Sequence, residues 1–388
     1  MDSIRLLTIV LFLVFAASGA TSPMLSLYLQ SLGADYAHIS AILTTYAVAA
    51  LAASYVWGRL SDRLGRRKPL VVGGLWGGAL AFALLAAAPT AAFAWGVRVL
   101  EAVAMTAYGT VSLAFMGDLL ANNPARGRRM GSYRGFGSLS FALGAFGGGS
   151  IIQFLGMRQV LALCALFLAA AAAVAMTIRE AAPADPPSSA TATGAAPAQP
   201  QRMPLLFLLG VLLWTGAFWS AYSMWPNYLR DLGYPASTAN WLWGLAAVSE
   251  VPFMSIVGLL SDALGRAPVL AMGGVGIGLV LLGYVTLNRW LVGLMAVQVF
   301  RGFAYSAFTA TSMIYATESG TARRRAGSVG IYNVAMSLGQ ILGLAIGGQV
   351  VQRAGFTTLF LVSALVFAVS AAVFSTLHGQ QAWKQATA

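Results

Sequence analysis

Apolar residues run through this chain in long blocks, not in the alternation of a half-buried strand or the one-sided stripe of a surface helix. Twelve blocks approach the ~20 residues a helix needs to cross a bilayer. They fall at 5–28, 37–57, 69–89, 92–117, 131–154, 158–178, 204–229, 237–258, 268–287, 290–315, 327–351 and 355–377. The pattern predicts an all-α membrane protein with twelve transmembrane helices. The first block carries Arg5, an apolar run and Ser18-Gly19-Ala20, the layout of a cleavable signal peptide. Its apolar character continues to Leu29 and it has a counterpart later in the chain, so it is read as a retained span.

Residues 179–203 break the pattern. They are rich in Pro, Ala, Ser and Thr and cannot bury a core, as expected of a flexible cytoplasmic linker. They separate an N-terminal six-helix bundle, 1–178, from a C-terminal one, 204–388. The halves repeat at an offset of 200 residues. Tyr28, Leu29, Leu32 and Gly33 match Tyr228, Leu229, Leu232 and Gly233, and Gly58, Leu60, Ser61, Asp62, Leu64, Gly65 and Arg66 match Gly258, Leu260, Ser261, Asp262, Leu264, Gly265 and Arg266. Gly73, Gly74 and Gly78 then match Gly273, Gly274 and Gly278 without a gap. Beyond, the offset drifts: Arg98 is matched with Arg301, and Gly144/Gly148 with Gly343/Gly347, the spacing of tight helix contacts. Two pseudo-symmetric six-helix bundles in parallel repeat are the plan of an alternating-access transporter, with its solute site between the halves near the midplane.

Composition agrees. Of 388 residues 59% are hydrophobic and 9% charged, against about 25% charged in soluble domains. The net charge of +12 would point to nucleic acid in a soluble protein. With the N-terminus inside, however, seventeen basic residues fall in cytoplasmic segments and four (Arg158, Arg230, Arg289, Arg353) outside. That bias is the positive-inside signal. It places both termini in the cytoplasm of a bacterial inner membrane and removes the need for a nucleic-acid partner. Cys164 is the single cysteine, and His38 and His378 are far apart, so no disulfide or ordinary zinc site is expected. There is no GxxxxGK[ST], HExxH or GxSxG, so neither ATP-driven pumping nor enzyme chemistry is expected, and no cofactor.

Charges inside a membrane are costly, roughly 2.5–3.5 kcal/mol each, and mark function. Arg98 and Glu101 share one face of span 4 at i,i+3. Glu250, in Ser249-Glu250-Val251-Pro252, lies about 20 Å along span 8 with no basic residue after it on that span; a carboxyl so placed can carry a proton. Arg301 lies about 16 Å into span 10, where it pairs with Glu250 or binds an anionic solute. Asp118 and Glu318, at the cytoplasmic ends of spans 4 and 10, fit loop pairing better than solute contact. Span 7 is aromatic, with Trp214, Phe218, Trp219, Tyr222 and Trp225, and Trp241 and Trp243 follow early in span 8; some of these serve as interfacial anchors, and Trp219 and Tyr222 are placed to line a cavity. Tyr108, Asn333 and Gln340 are further polar solute-binding candidates.

The loop GRLSDRLGRRKPL at 58–70 resembles the signature loop between helices 2 and 3 of the major facilitator superfamily, and GLLSDALGRAPVL at 258–270 resembles its weaker echo between helices 8 and 9. The resemblance implies a charge relay that gates conformational change, carried by Asp62, Arg63, Gly65 and Arg66, and more weakly by Asp262 and Arg266. Arg98-Val99-Leu100-Glu101-Ala102 resembles the family's RxxQG pattern, departing at Glu101 and Ala102. That likeness implies a part in proton transfer for Arg98 and Glu101, beside Glu250. SEVPFM resembles the lactose-permease-like and phenylpropionate-permease-like branch. The run 144–149 lacks the Gly-Pro pair usual in helix 5 of the drug-antiporter branch.

The sequence thus reads as a monomeric secondary transporter with bilayer, protons and a small solute as its partners. Proton symport of an organic acid, sugar or nucleoside is favoured. Proton-antiport efflux of a drug or metabolite is the alternative, and a transporter-like receptor that binds without translocating is a second. Arg301, Arg98, Trp219, Tyr222, Tyr108, Asn333 and Gln340 are the expected solute contacts.

Overall fold

The computed structural model describes residues 3–120, 126–179, 203–318 and 325–386; the side chains of 126–128, 131, 132, 134, 325–327 and 378–386 are not among those described. Residues 180–202 of the expected linker, and the side chains of Arg126, Arg128, Arg134, Arg202, Arg323, Arg324, Arg325, His378 and Lys384, lie outside the described residues.

The described chain is helical throughout: α1 Ser3–Thr21, α2 Leu25–Ser31, α3 Tyr36–Leu64, α4 Lys68–Ala86, α5 Ala91–Leu119, α6 Arg126–Phe154, α7 Met157–Thr177, α8 Leu205–Asp231, α9 Ala236–Leu264, α10 Arg266–Thr286, α11 Leu291–Glu318 and α12 Arg325–Ala386. Among the described residues eleven helices are long and apolar enough to cross a membrane. The last of these, Ser328–Leu377, holds 50 residues, enough for two crossings, and it turns at Gly355, where φ is +81°. The first predicted span is α1 and α2 joined through a turn at 22–24. Asp35 caps α3 by accepting the His38 N–H at 2.8 Å, and that bond holds the exposed Asp35 carboxyl below its usual range.

Contacts divide the chain into two compact units, Met1–Ala190 with Leu229–Gly244, and Thr191–Tyr228 with Leu245–Ala388. In the first, α1 packs along α6 and α7, α4 along α5 and α7, and α3 along α5. Gly148 of α6 sits so close to α1 that a methyl there would lie 2.7 Å from the Ala20 Cα, and Gly144 meets the Ala16 backbone in the same way. Residues 229–244 join this unit through the Asn240 amide, which donates to the Ala20 carbonyl at 2.8 Å, and through the Tyr36 hydroxyl, which donates to Asp231 at 3.0 Å. In the second unit α10 packs along α11 and α12. Gly343 and Gly347 of α12 pack on Gly216 and Ser220 of α8. Small residues at these four glycines let helix backbones meet where lipid offers no hydrophobic drive.

The second unit is built round aromatic rings. Trp214 stacks on Phe308 at 3.7 Å and Phe207 on Tyr315 at 4.3 Å. Trp214, Tyr222 and Trp225 are buried, so these three rings of α8 are bundle core, while Trp219 is half-buried and Trp241 of α9 is exposed. Core burial wins for the three because each ring finds aromatic partners on α10, α11 or α12.

Matching contacts fix the true register of the repeat. Six glycines have positive φ, and they pair off as Gly33/Gly233, Gly65/Gly265 and Gly156/Gly355; other residues would pay for that left-handed geometry. A methyl on Gly74 would lie 2.7 Å from the Ala104 carbonyl and 2.8 Å from the Tyr108 N; one on Gly273 would lie 3.2 Å from the Ala304 carbonyl and 2.9 Å from the Phe308 N. Gly77 and Gly276 likewise meet Ala104 and Ala304. Tyr28 bonds the Leu85 carbonyl, and Tyr228 the Tyr284 carbonyl. So α5 and α11 keep the offset of 200 while α4 and α10 run at 199. The gapless match of Gly73, Gly74 and Gly78 is corrected: the second loop is one residue shorter, with Pro69 answering to Pro268. The match of Arg98 with Arg301 is corrected too. In the structural register Gln298 answers to Arg98, and Arg301 to Glu101.

Candidate functional site

Each half sets one buried arginine against one carboxylate. In the first, Arg98 lies two turns into α5, whose start is capped by the Thr90 hydroxyl accepting the Phe93 N–H at 3.3 Å. An Arg Nη1 hydrogen donates to Glu101 one turn later. Both side chains are nearly sealed, at 7% and 6% exposure. The guanidinium also lies 4.0 Å above the ring of Tyr46 from α3, a cation–π contact of the strength found in desolvated sites.

In the second half the carboxylate comes from another helix. Arg301 of α11 stands 3.7 Å from Glu250 of α9, beyond hydrogen-bond reach. The Arg301 side chain is 3% exposed, whereas that of Glu250 is 17%. The guanidinium lies 4.9 Å from the Tyr222 ring and donates to the Gln298 Oε1 at 3.4 Å. The Tyr284 hydroxyl of α10 lies beside Tyr222, Arg301 and Gln298, and Tyr305 faces Glu250 and Arg301 from α11. Pro252 lies inside α9, two residues past Glu250. Sequence reasoning missed Tyr46, Gln298, Tyr284 and Tyr305. The i,i+3 spacing of Gln298 to Arg301 was a usable signal; nothing local marks the tyrosines.

Two loop clusters are built alike. Arg67 donates to Asp118 at 3.1 Å, to the Ser61 hydroxyl at 2.5 Å and to Asp62 at 3.4 Å. Arg266 donates to Glu318 at 2.9 and 3.1 Å, to Ser261 at 3.0 Å and to Asp262 at 2.5 Å. Gly65 makes the left-handed cap of α3 at φ 59°, and Gly265 opens α10. The cation of the first cluster is Arg67; Arg63 and Arg66 are exposed and make no ion pair among the described residues. The one-residue difference between the loops hides this, because the ungapped alignment sets Arg66 against Arg266.

The other expected solute contacts are scattered. Tyr108 is buried beside Tyr133 and Ser112. Trp219 and Gln340 are half-buried and Asn333 is exposed. Among the described residues no group of three or more His, Cys, Asp or Glu could hold a metal ion.

Twelve helical crossings in two repeated halves, each with a buried arginine set against a carboxylate, define a secondary transporter of the membrane. The Major Facilitator Superfamily profile matches residues 7–287 and 206–386, and the chain belongs to that family. It is similar to a Deinococcus radiodurans protein named as a putative sugar efflux transporter, with 27% identity over 92% of this chain and 93% of the relative. It is also similar to the maltose permease of Geobacillus stearothermophilus, with 25% identity over 88% and 86%. Among solved structures, the nucleoside transporter NupG superposes with a TM-score of 0.78 at 18% identity, covering 97% of this chain and 99% of that one. The protein is an integral membrane transporter of small solutes and not an enzyme.

Proposed function

We propose that this protein is a proton-coupled symporter of an uncharged, oxygen-rich solute of the sugar or nucleoside class, with Glu250 as its proton carrier. The observation that carries the reading is the contrast between the pairs. Glu101 is locked to Arg98 and sealed, whereas Glu250 stands off Arg301 and is partly exposed. A carboxylate that takes up and releases a proton each cycle needs a route to solvent and a partner it can leave. Arg301 cannot lose its charge, and the Tyr222 ring and Gln298 keep it placed when Glu250 is neutral.

Charge balance supports an uncharged solute. Among the described residues each half sets one arginine against one glutamate inside its spans, so while Glu250 is ionised the pair offers no surplus charge to an anion. The names of the sugar and nucleoside relatives point the same way. Alternating access is rocking of a 1–178 bundle against a 204–388 bundle joined by the 179–203 linker. The chain acts as a monomer in a bacterial inner membrane with both termini cytoplasmic. Arg67 with Asp62 and Asp118, and Arg266 with Asp262 and Glu318, gate that movement.

Proteoliposomes loaded with a pH gradient test this, with maltose, glucose and uridine as probes. The wild type is expected to accumulate a probe, and Glu250→Gln to exchange it across the membrane but never concentrate it. Full accumulation by Glu250→Gln removes Glu250 from the coupling. One observation favours a second reading, proton-antiport efflux: two relatives carry sugar-efflux names. Under it the same gradient, outside acidic, expels the probe.

A further inference from the structure

The Arg301–Glu250 pair bridges two helices, so its length depends on how closely α9 and α11 approach. A close approach lies one residue away on both sides. A methyl on Gly302 would overlap the Ser249 hydroxyl and lie 3.1 Å from the Ser249 Cβ and 3.2 Å from the Ala246 carbonyl. Ser249 turns that hydroxyl back onto its own helix, donating to the Ala246 carbonyl at 2.8 Å, with the Val299 carbonyl of α11 at 3.5 Å. One turn on, the Ser306 hydroxyl donates to the Glu250 backbone carbonyl at 3.4 Å. Gly302 and Ser249 are both buried. The junction is filled by a hydrogen atom on one helix and a hydroxyl on the other.

We infer that Gly302 and Ser249 are positioning residues for the Glu250–Arg301 pair, setting through the approach of α11 to α9 how far the guanidinium reaches toward the carboxylate. The other half supplies the control. There the residue after Glu101 is Ala102, fully buried, and the position answering to Ser249 is Ala49. Arg98 and Glu101 lie on one helix, so no helix need come close to join them, and a methyl at 102 is tolerated. Glycine stands only where the pair spans two helices.

The inference rests on the proton-carrier reading of Glu250. The charged and titratable groups around Glu250 are Arg301 and Tyr305 from α11, Tyr222 from α8 and, beside Arg301, Tyr284 from α10. Arg301 is the only cation among these, and its field favours the ionised carboxylate. Gly302→Ala would move it away and open the junction, which changes how tightly Glu250 holds its proton.

The readout is the carboxylic-acid C=O band in pH-difference infrared spectra of the purified protein, which needs no solute. Gly302→Ala is expected to shift the midpoint at which this band disappears away from the wild-type value, by about half a unit. Gly302→Ala/Ser249→Gly, which makes room for the methyl, is expected to return it. Should Gly302→Ala not be recovered folded, Ser249→Thr crowds the junction from the other helix, with a smaller shift in the same direction expected. An unmoved midpoint in a folded Gly302→Ala or Ser249→Thr protein overturns the inference. If instead the band survives in Glu250→Gln, the proton-carrier reading itself fails.

Discussion

Arg98 and Arg301 are each buried, near one carboxylate and with the guanidinium over a tyrosine ring, but the partners come from different places. Arg98 takes Glu101 from its own helix and Tyr46 from α3. Arg301 takes Glu250 from α9 and Tyr222 from α8. The intrahelical pair is fixed by the 3.6-residue turn and persists whatever the neighbouring helices do. The interhelical pair changes whenever α9 moves against α11. The two halves of the repeat thus hold one pair whose geometry is set within a helix and one whose geometry is set between helices.

The sharpest way to break this contrast is to neutralise each carboxylate. Glu101→Gln leaves a sealed arginine without its counter-charge and should cost roughly 3–5 kcal/mol, read as a lower melting temperature in detergent. Glu250→Gln, at a partly exposed and looser pair, should lose clearly less. The reverse order would mean that the C-terminal pair is the structural one.

The repeat register supplies a second contrast. Gly74→Ala and Gly273→Ala each push a methyl into the backbone of the next helix and should cost roughly 1–3 kcal/mol. A methyl on Gly73 meets nothing within 4 Å, so Gly73→Ala should be neutral or stabilising by up to about 1 kcal/mol. Equal losses at 73 and 273 would restore the gapless alignment. Smaller again, Tyr46→Leu should cost roughly 0.5–2 kcal/mol through the lost cation–π contact, while Tyr46→Phe keeps the ring and should stay near wild type. Smallest in stability terms, Arg67→Ala should slow solute exchange in liposomes and Arg66→Ala leave it unchanged, because Arg67 donates to Asp118 and Arg66 makes no ion pair among the described residues.

Hydropathy alone made the helices legible, since a bilayer demands apolar length and little else. The buried charges were legible for the same reason: Arg98, Glu101, Glu250 and Arg301 stand out against uninterrupted apolar spans. The i,i+3 geometry of Arg98 and Glu101 is local and could be read directly. What escaped was whatever depends on the approach of distant segments. Arg67 and Arg66 are adjacent identical residues, and only the shorter second loop reveals which one answers to Arg266. Tyr46 and Tyr284 look like any other aromatic in an apolar span until α5 or α11 is packed against them. Gly302 follows an arginine in a chain with 43 glycines, and its role is visible only once Ser249 is set opposite it.

The most direct test of the central claim is the pH-difference infrared spectrum of wild type, Glu250→Gln and Glu101→Gln in the same detergent. A buried carboxyl that titrates in the wild type, vanishes in Glu250→Gln and persists in folded Glu101→Gln is the expected result. A band that persists in Glu250→Gln and vanishes in Glu101→Gln would contradict the account.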